Sequence, residues 1–158
     1  MLKVLEVKTK KQLKRFIDFP YELYAGNPYW IPPLRADEIS TLRWDKNPAF
    51  AYCQARYWLV YKDNQLAGRI AGIINHEAIE KWGQKYARFG WFDFIDDLGV
   101  MKLLLQQVES WAQENGLSGI QGPMGFCDLD KEGMLIDGFD EMGTFTTIYN
   151  YDYYPKFM

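Results

Sequence analysis

Few residues in this sequence could carry out acid–base, nucleophilic or metal chemistry. His76 is the only histidine, and Cys53 and Cys127 are the only cysteines. A histidine-based zinc site or a Ser-His-Asp triad therefore has too few members. Cys127 is not flanked by a basic residue that could stabilise a thiolate, which favours a structural thiol over a nucleophile. No glycine-rich phosphate loop of the Walker or dinucleotide type is present.

One acidic segment resembles part of a metal site. Residues 128–133, Asp-Leu-Asp-Lys-Glu-Gly, match the first half of a calcium loop, but the twelfth position is Phe139 where a bidentate Glu is needed. We interpret the segment as an acidic surface loop and predict that the protein binds no metal.

The composition and charge of the chain disfavour some classes of binding partner. The 158 residues carry a net charge of -3, which disfavours nucleic acid as a main partner because phosphate backbones attract clustered Lys and Arg. Aromatic residues reach 17%, a share that fits either an aromatic core or a ring-lined groove or interface. The sequence shows no signal peptide and no apolar run long enough for a membrane span, so we expect a cytoplasmic protein with reduced thiols.

Hydrophobic periodicity predicts the elements that position any site, within one α/β domain over residues 1–158. Residues 53–61 and 66–74 flank a polar four-residue turn and predict a β-hairpin. An apolar stripe over 98–115, with Asp96 or Asp97 as its cap, predicts the longest helix. The other predicted strands cover residues 2–7, 86–94, 117–121 and 144–149. The other predicted helices run from a capping box at Thr9–Gln12 to Gly26, from 34 to 42 and from 76 to 82.

This element order, with a hairpin that carries Gly68 and Gly72 in its second strand, resembles the Gcn5-related N-acetyltransferase (GNAT) superfamily. Further stretches are similar to a bacterial branch of that superfamily whose members are longer. They are Phe-Pro-Tyr at 19–21, Asn-Pro-Tyr-Trp-Ile-Pro-Pro-Leu at 27–34, Gly-Pro-Met at 122–124 and Tyr-Tyr-Pro at 153–155. The resemblance covers nearly the whole chain and implies a central, mostly antiparallel sheet flanked by helices.

The resemblance also implies an activity, the transfer of an acyl group from acetyl-CoA or another acyl-CoA to an amine on a small molecule or peptide. Asp93 would be the general base, and Tyr154 would protonate the leaving thiolate. The pantetheine arm would lie along Phe89, Gly90, Trp91 and Phe92, with Gly99 near the phosphates. A loop of Tyr29, Trp30 and Ile31 would cover the acceptor. The alternative is a non-catalytic module that keeps the fold for binding or dimerisation.

The turn where GNAT enzymes hold the cofactor pyrophosphate departs from the family pattern. Here Asp96 and Asp97 precede the long helix where glycines and a basic or Gln residue are typical. Each carboxylate would repel a phosphate at about 4 Å by about 4 kcal/mol, whereas a helix N-terminus offsets only about 0.3–1 kcal/mol. We therefore expect weak acyl-CoA binding, unless the aspartates turn away to cap the helix.

The family fold continues beyond the point where this sequence ends. A sheet that stops near Tyr149 would leave strand edges unpaired, and the tyrosine-rich residues 149–154 would add apolar surface there. We therefore predict a homodimer through the C-terminal region, or pairing with a further C-terminal segment.

Overall fold

A computed structural model describes residues 1–158 and shows a five-stranded sheet with helices on both faces. The strands are β1 (Leu2–Glu6), β2 (Cys53–Lys62), β3 (Gln65–Asn75), β4 (Tyr86–Phe94) and β5 (Gly119–Gln121), in the spatial order β1-β2-β3-β4-β5. The helices are α1 (Lys10–Leu23), α2 (Arg35–Leu42), α3 (His76–Trp82), α4 (Leu98–Glu114) and α5 (Tyr153–Phe157), with a 3₁₀ turn at Pro48–Ala51. Only the β4–β5 pair is parallel. This is the mixed α/β architecture that the sequence predicts.

Local signals set the element ends. The capping box at the start of α1 is confirmed, since Thr9 accepts from the Gln12 N–H and Gln12 accepts from the Thr9 N–H. In the β2–β3 hairpin, Asp63 and Asn64 have φ values of 49° and 66°, as a two-residue type I′ turn requires. No helix in the chain combines the length and the apolar character needed to cross a bilayer.

The sheet separates two apolar clusters. On one face, Trp58 of β2 and Ile70 of β3 pack against α4 through Leu104 and Trp111. On the other face, Tyr57 and Leu59 pack against α1 and α2. Successive residues of β2 thus point to opposite layers, as the period of a strand requires.

β4 contains a bulge that shifts this alternation. Its register against β3 slips between Arg69 and Ala71, and Trp91 has a φ of 44°. Phe89 and Phe92 consequently face the same α4 layer although they lie three residues apart, while Trp91 packs on the α1 side. The bulge therefore places Trp91 and Asp93 on the side of the sheet where the candidate site lies.

The C-terminal residues fold back onto the sheet. Tyr154 on α5 is 2% exposed and stacks on Phe94 with ring centroids 4.1 Å apart. Residues 149–154 therefore do not form the exposed apolar surface that was expected to favour a dimer. The dimer itself stays a prediction, supported by the short outer edge of β5.

The predicted strand over residues 144–149 is wrong. Thr144 and Thr147 close a turn, because the Thr147 N–H donates to the Thr144 carbonyl and the Thr144 N–H donates to the Thr147 hydroxyl. Threonine hydroxyls bond locally in this way at the expense of a strand ladder. Tyr149 is anchored by its hydroxyl, which donates to the Phe139 carbonyl.

Candidate functional site

A cavity of about 600 Å³ lies between the loop after α1, helix α2, strand β4 and the long segment that follows β5. Six of the sequence-predicted site residues line it. They are Asp93, Tyr154, Trp91, Phe92, Trp30 and Ile31. The two residues predicted to be catalytic therefore line the same cavity as two residues of the predicted cofactor strand and two of the predicted acceptor loop. Because the cavity contains carboxylates, hydroxyls and apolar walls, it can hold an amphiphilic ligand.

Asp93 lies at the inner wall of the cavity, opposite Arg69 on β3. The two residues are direct cross-strand partners and are 9% and 5% exposed. The Arg69 Nε and one terminal nitrogen both lie 2.7 Å from Asp93 Oδ2, and the other terminal nitrogen donates to the Phe16 carbonyl. This ion pair, with one charge-assisted hydrogen bond from Nε, keeps each charge neutralised within the protein.

A tyrosine connects Asp93 to Tyr154. The Tyr24 hydroxyl lies 3.1 Å from Asp93 Oδ1 and 3.2 Å from the Tyr154 hydroxyl. Each hydroxyl has one proton and the carboxylate only accepts, so Tyr154 donates to Tyr24 and Tyr24 donates to Asp93. The Tyr154 oxygen also accepts the Phe94 N–H at 2.9 Å. Burial, reinforced by the negative charge of Asp93, raises the pKa of Tyr154 well above its ordinary value, so its hydroxyl stays protonated.

Glu38 on α2 is a site residue that the sequence analysis missed. Its Oε2 accepts the Trp91 Nε1–H at 2.8 Å, and no other hydrogen bond to its side chain forms within the chain. Burial raises the pKa of Glu38, although the charge of Arg69 and the Trp91 hydrogen bond partly oppose that rise. A carboxylate with an elevated pKa and free acceptor capacity in a cavity can accept a proton from a bound ligand.

Lys131, in the segment after β5, lines the same cavity and was also missed. Its ammonium makes no ion pair or hydrogen bond within the chain, and burial lowers its pKa. The charges of Glu38 and Asp93 act in the opposite direction. In sequence, Arg69 could have been found as the lone charge within the apolar strand β3, but nothing marks Glu38 or Lys131.

The remaining predicted residues lie outside the cavity lining. Phe89 is buried against α4, Gly99 lies in the first turn of α4 beside Leu2, and Tyr29 contacts the segment near Gly143. Gly90 faces the Met124 carbonyl so closely that a Cβ there would lie 2.4 Å from its oxygen.

The edge of β4 is occupied by the chain itself. The Met124 N–H donates to the Phe89 carbonyl at 2.7 Å, and the Tyr153 hydroxyl donates to the Phe94 carbonyl at 2.7 Å. Pantetheine pairing along residues 89–92 therefore stays a prediction that requires Met124 to move aside.

The N-terminus of α4 is capped by Asp97. Its Oδ1 accepts the Val100 N–H at 3.1 Å and its Oδ2 accepts from the Lys62 ammonium, whereas Asp96 is exposed and unpaired. Capping by one of the two aspartates is confirmed. One of the N–H groups at this helix end, that of Val100, is thus satisfied by a side chain and not open to a phosphate.

The Asp97 contacts predict a stability that depends on pH. The hydrogen bond from Lys62, with that from Val100, holds the pKa of Asp97 below its usual range. A depressed carboxyl pKa stabilises the fold above the unfolded pKa of about 3.9, and this contribution is lost as the pH falls through the folded pKa. We expect Asp97→Asn, which keeps a cap, to be less stable than wild type at pH 7 and equal to it in acid.

Urea denaturation across the pH range measures this gap, with Asp97→Ala as the comparison that also loses the cap, at about 1 kcal/mol. A gap between wild type and Asp97→Asn that persists unchanged in acid would contradict the role given to Lys62.

A second, smaller cavity of about 370 Å³ lies near α3 and contains Cys127 beside charged residues of both signs, including Glu77, Lys81 and Arg88. Cys53 is buried and Cys127 half-buried, and both are free thiols. No group of three His, Cys, Asp or Glu side chains is placed to hold a metal ion.

No family model matches this sequence. The chain is 37% identical over 134 residues to protein YghO of Escherichia coli K12, covering 83% of this chain and 33% of the relative. It is 31% identical over 140 residues to a bacterial ceramide synthase of Caulobacter vibrioides, covering 88% of this chain and 36% of the relative. The chain thus spans about a third of the length of these relatives.

Solved structures with a similar architecture include GNAT proteins. A tandem GNAT protein from the clavulanic acid pathway superposes with a TM-score of 0.55 at 16% identity, covering 73% of this chain and 34% of that one. A GNAT acetyltransferase from Staphylococcus aureus Mu50 gives 0.53 at 17% identity, over 76% and 71% of the two chains. A predicted acetyltransferase from Clostridium acetobutylicum, solved with acetyl-CoA, gives 0.50 at 12% identity, over 77% and 79%. The chain therefore has the GNAT acetyltransferase fold.

Proposed function

We propose that this chain forms the acyl-transfer site of an N-acyltransferase, which moves an acyl group from a thioester such as acyl-CoA to a primary amine. The observation that carries the proposal is the 600 Å³ cavity, in which Glu38, Tyr154 and an apolar wall converge. The fold and the similarity to a protein named as a ceramide synthase support it, since ceramides are N-acylated lipids.

Glu38 is the best-placed general base in this proposal. Its raised pKa and its free oxygen suit it to accept the proton that the amine loses as the nitrogen attacks the thioester carbonyl. Asp93, the base expected from sequence, has Arg69 and Tyr24 on its two oxygens and acts here by positioning Tyr24.

Tyr154 is the proposed acid. As the C–N bond forms and the C–S bond breaks, the sulfur takes up a proton, and the Tyr154 hydroxyl, which lines the cavity, supplies it by turning its hydrogen bond from Tyr24 to the sulfur. The resulting phenolate keeps one hydrogen-bond donor, the Phe94 N–H, because the proton of Tyr24 is directed to Asp93.

The cavity walls favour a long-chain substrate. Apolar residues line it on the loop before α2 and on the segment after β5, and three large side chains at its rim are exposed, namely Leu34, Leu129 and Phe145. Each buried CH₂ group of a ligand contributes about 0.8 kcal/mol, so such walls select a chain over a small polar amine. A long-chain amino alcohol is therefore the proposed acceptor, ahead of amino sugars and peptides.

An acyl-CoA donor matches the residues of this site only in part. Its acyl thioester suits the apolar cavity, but the pyrophosphate of CoA does not fit the N-terminus of α4, where Asp97 occupies the Val100 N–H and Asp96 adds an unpaired negative charge. The phosphates must therefore lie elsewhere, or bind weakly.

The two aspartates at the N-terminus of α4 lead to a prediction about the affinity for acetyl-CoA. Replacing Asp96 and Asp97 with Asn keeps a cap but removes two negative charges, so we expect the affinity for acetyl-CoA to rise, by roughly tenfold or more at low salt. Isothermal titration calorimetry measures it, with Asp140→Asn as a control far along the chain in an exposed loop. Micromolar affinity in the wild type, unchanged by the double substitution, would show that the phosphates bind at another place.

The test of the function is direct. The purified chain is incubated with acetyl-CoA or a long-chain acyl-CoA and with a long-chain amino alcohol, an amino sugar or a peptide, and amide formation and thiol release are followed by mass spectrometry and a thiol reagent. We expect catalysed amide formation with the amino alcohol and the long-chain donor. If a folded chain acylates none of these amines with either donor, the proposal fails.

A further inference from the structure

Lys131 is an amine inside the cavity proposed for amine acylation. It lines the cavity together with Glu38 and Tyr154, and no side chain of the protein pairs with its ammonium. Lysines elsewhere in the chain are either exposed or held in ion pairs, as Lys62 is by Asp97. An unpaired, partly buried lysine needs an explanation, because taking an ammonium out of water without a partner carries a cost.

We propose that Lys131 is a self-acylation site, whose ε-amine accepts the acyl group from a thioester bound in the cavity. This inference rests on the proposed function for its donor. The Lys131 nitrogen attacks the thioester carbonyl, the C–S bond breaks, and an amide forms. Glu38 accepts the proton lost by the nitrogen, and the released thiolate takes a proton from Tyr154 or from solvent, so that atoms and charge balance.

The surroundings of Lys131 favour its neutral, nucleophilic form. Burial lowers its pKa, and the positive charge of Arg69 on β3 acts in the same direction. Glu38 on α2 and Asp93 on β4 oppose this, but Asp93 is already paired with Arg69. Each unit by which a lysine pKa falls raises its neutral fraction about tenfold at a given pH below that pKa.

The consequence is a chemical change in the site itself. Acylation removes the positive charge of Lys131 and adds an acyl chain to the cavity lining, where it competes with the acceptor for the same apolar walls. Modified protein would therefore carry out slower transfer to added amines.

The test uses the intact chain with acetyl-CoA and, separately, a long-chain acyl-CoA, without any added amine. Intact-mass spectrometry followed by peptide mapping should show one acyl group, at Lys131, added at least about tenfold faster than at any exposed lysine, because the bound thioester is held close to it. Lys131→Arg should remove this modification, whereas Lys102→Arg on the exposed face of α4 should leave it unchanged. Circular dichroism confirms that each variant is folded.

Parallel assays with an added amine separate the two proposals. If amines are acylated while Lys131 stays unmodified, self-acylation is refuted and the proposed function stands. If acyl groups spread evenly over exposed lysines, at the rate seen in urea-unfolded chain, the inference is also refuted. Selective acylation of Lys131 that slows in Glu38→Gln supports it.

Discussion

Replacing Arg69 with Met is expected to lower the free energy of unfolding by about 3–5 kcal/mol, the largest loss of stability that we predict for one substitution. The Asp93 carboxylate is 9% exposed and takes a charge-assisted hydrogen bond from Arg69 Nε within an ion pair, so the substitution leaves a buried charge without its counterion. Chemical denaturation monitored by tryptophan fluorescence measures the loss.

Two further variants make this prediction specific. Arg69→Met with Asp93→Leu removes both charges and should recover most of the stability, because an apolar pair of similar volume needs no counterion. Arg56→Met is the matched control, since Arg56 lies on the same sheet in an exposed pair with Glu114 at 3.7 Å and should cost at most about 1 kcal/mol. A double variant as unstable as Arg69→Met alone would show that the loss comes from the Phe16 carbonyl contact or from packing instead.

Replacing Glu38 with Gln should lower kcat/KM for amine acylation by at least about 100-fold, because positioned general bases contribute roughly 10²–10⁴ in rate. Gln keeps the size of the side chain and can still accept the Trp91 Nε1–H, so the shape of the cavity is preserved. Wild-type kcat/KM should rise with pH through the elevated pKa of Glu38, and this dependence should be absent in Glu38→Gln.

The control for this experiment is Glu109→Gln, on the exposed side of α4 and outside the cavity, which removes the same charge. Its kcat/KM should equal that of the wild type. If Glu38→Gln retains both the rate and the pH dependence while Asp93→Asn loses them, the general base is Asp93, as the sequence resemblance implied.

Much of the fold could be predicted because its determinants are local. The hairpin follows from a polar two-residue turn at Asp63 and Asn64, and the start of α4 follows from Asp97 and the apolar stripe behind it. The strand over residues 144–149 was wrong for a related reason, since β-branched threonines satisfy a strand pattern and a local turn equally well.

The site was predicted only in part because its determinants are long-range. The bulge at Trp91 decides which aromatic rings of β4 face α4, and alternation in the sequence cannot reveal a slipped register. Glu38 becomes a candidate base only through Trp91, which lies 53 positions away in sequence. Asp93 and Tyr154, which were named from the family resemblance, line one cavity, but Tyr24, which connects them, was identified only as part of a helix face.

The docking of α5 has a consequence for the order in which the chain can fold during synthesis. Tyr154 covers Phe94 and forms a hydrogen bond with Tyr24, 130 positions earlier in the sequence, so Phe94 and Tyr24 lack these contacts until α5 emerges from the ribosome. Contacts of such high sequence separation form late, and the apolar surface around Phe94 and Phe92 stays open until then. A nascent chain that stalls before residue 153 therefore presents an incomplete core, which makes it a target for chaperones rather than a smaller folded protein.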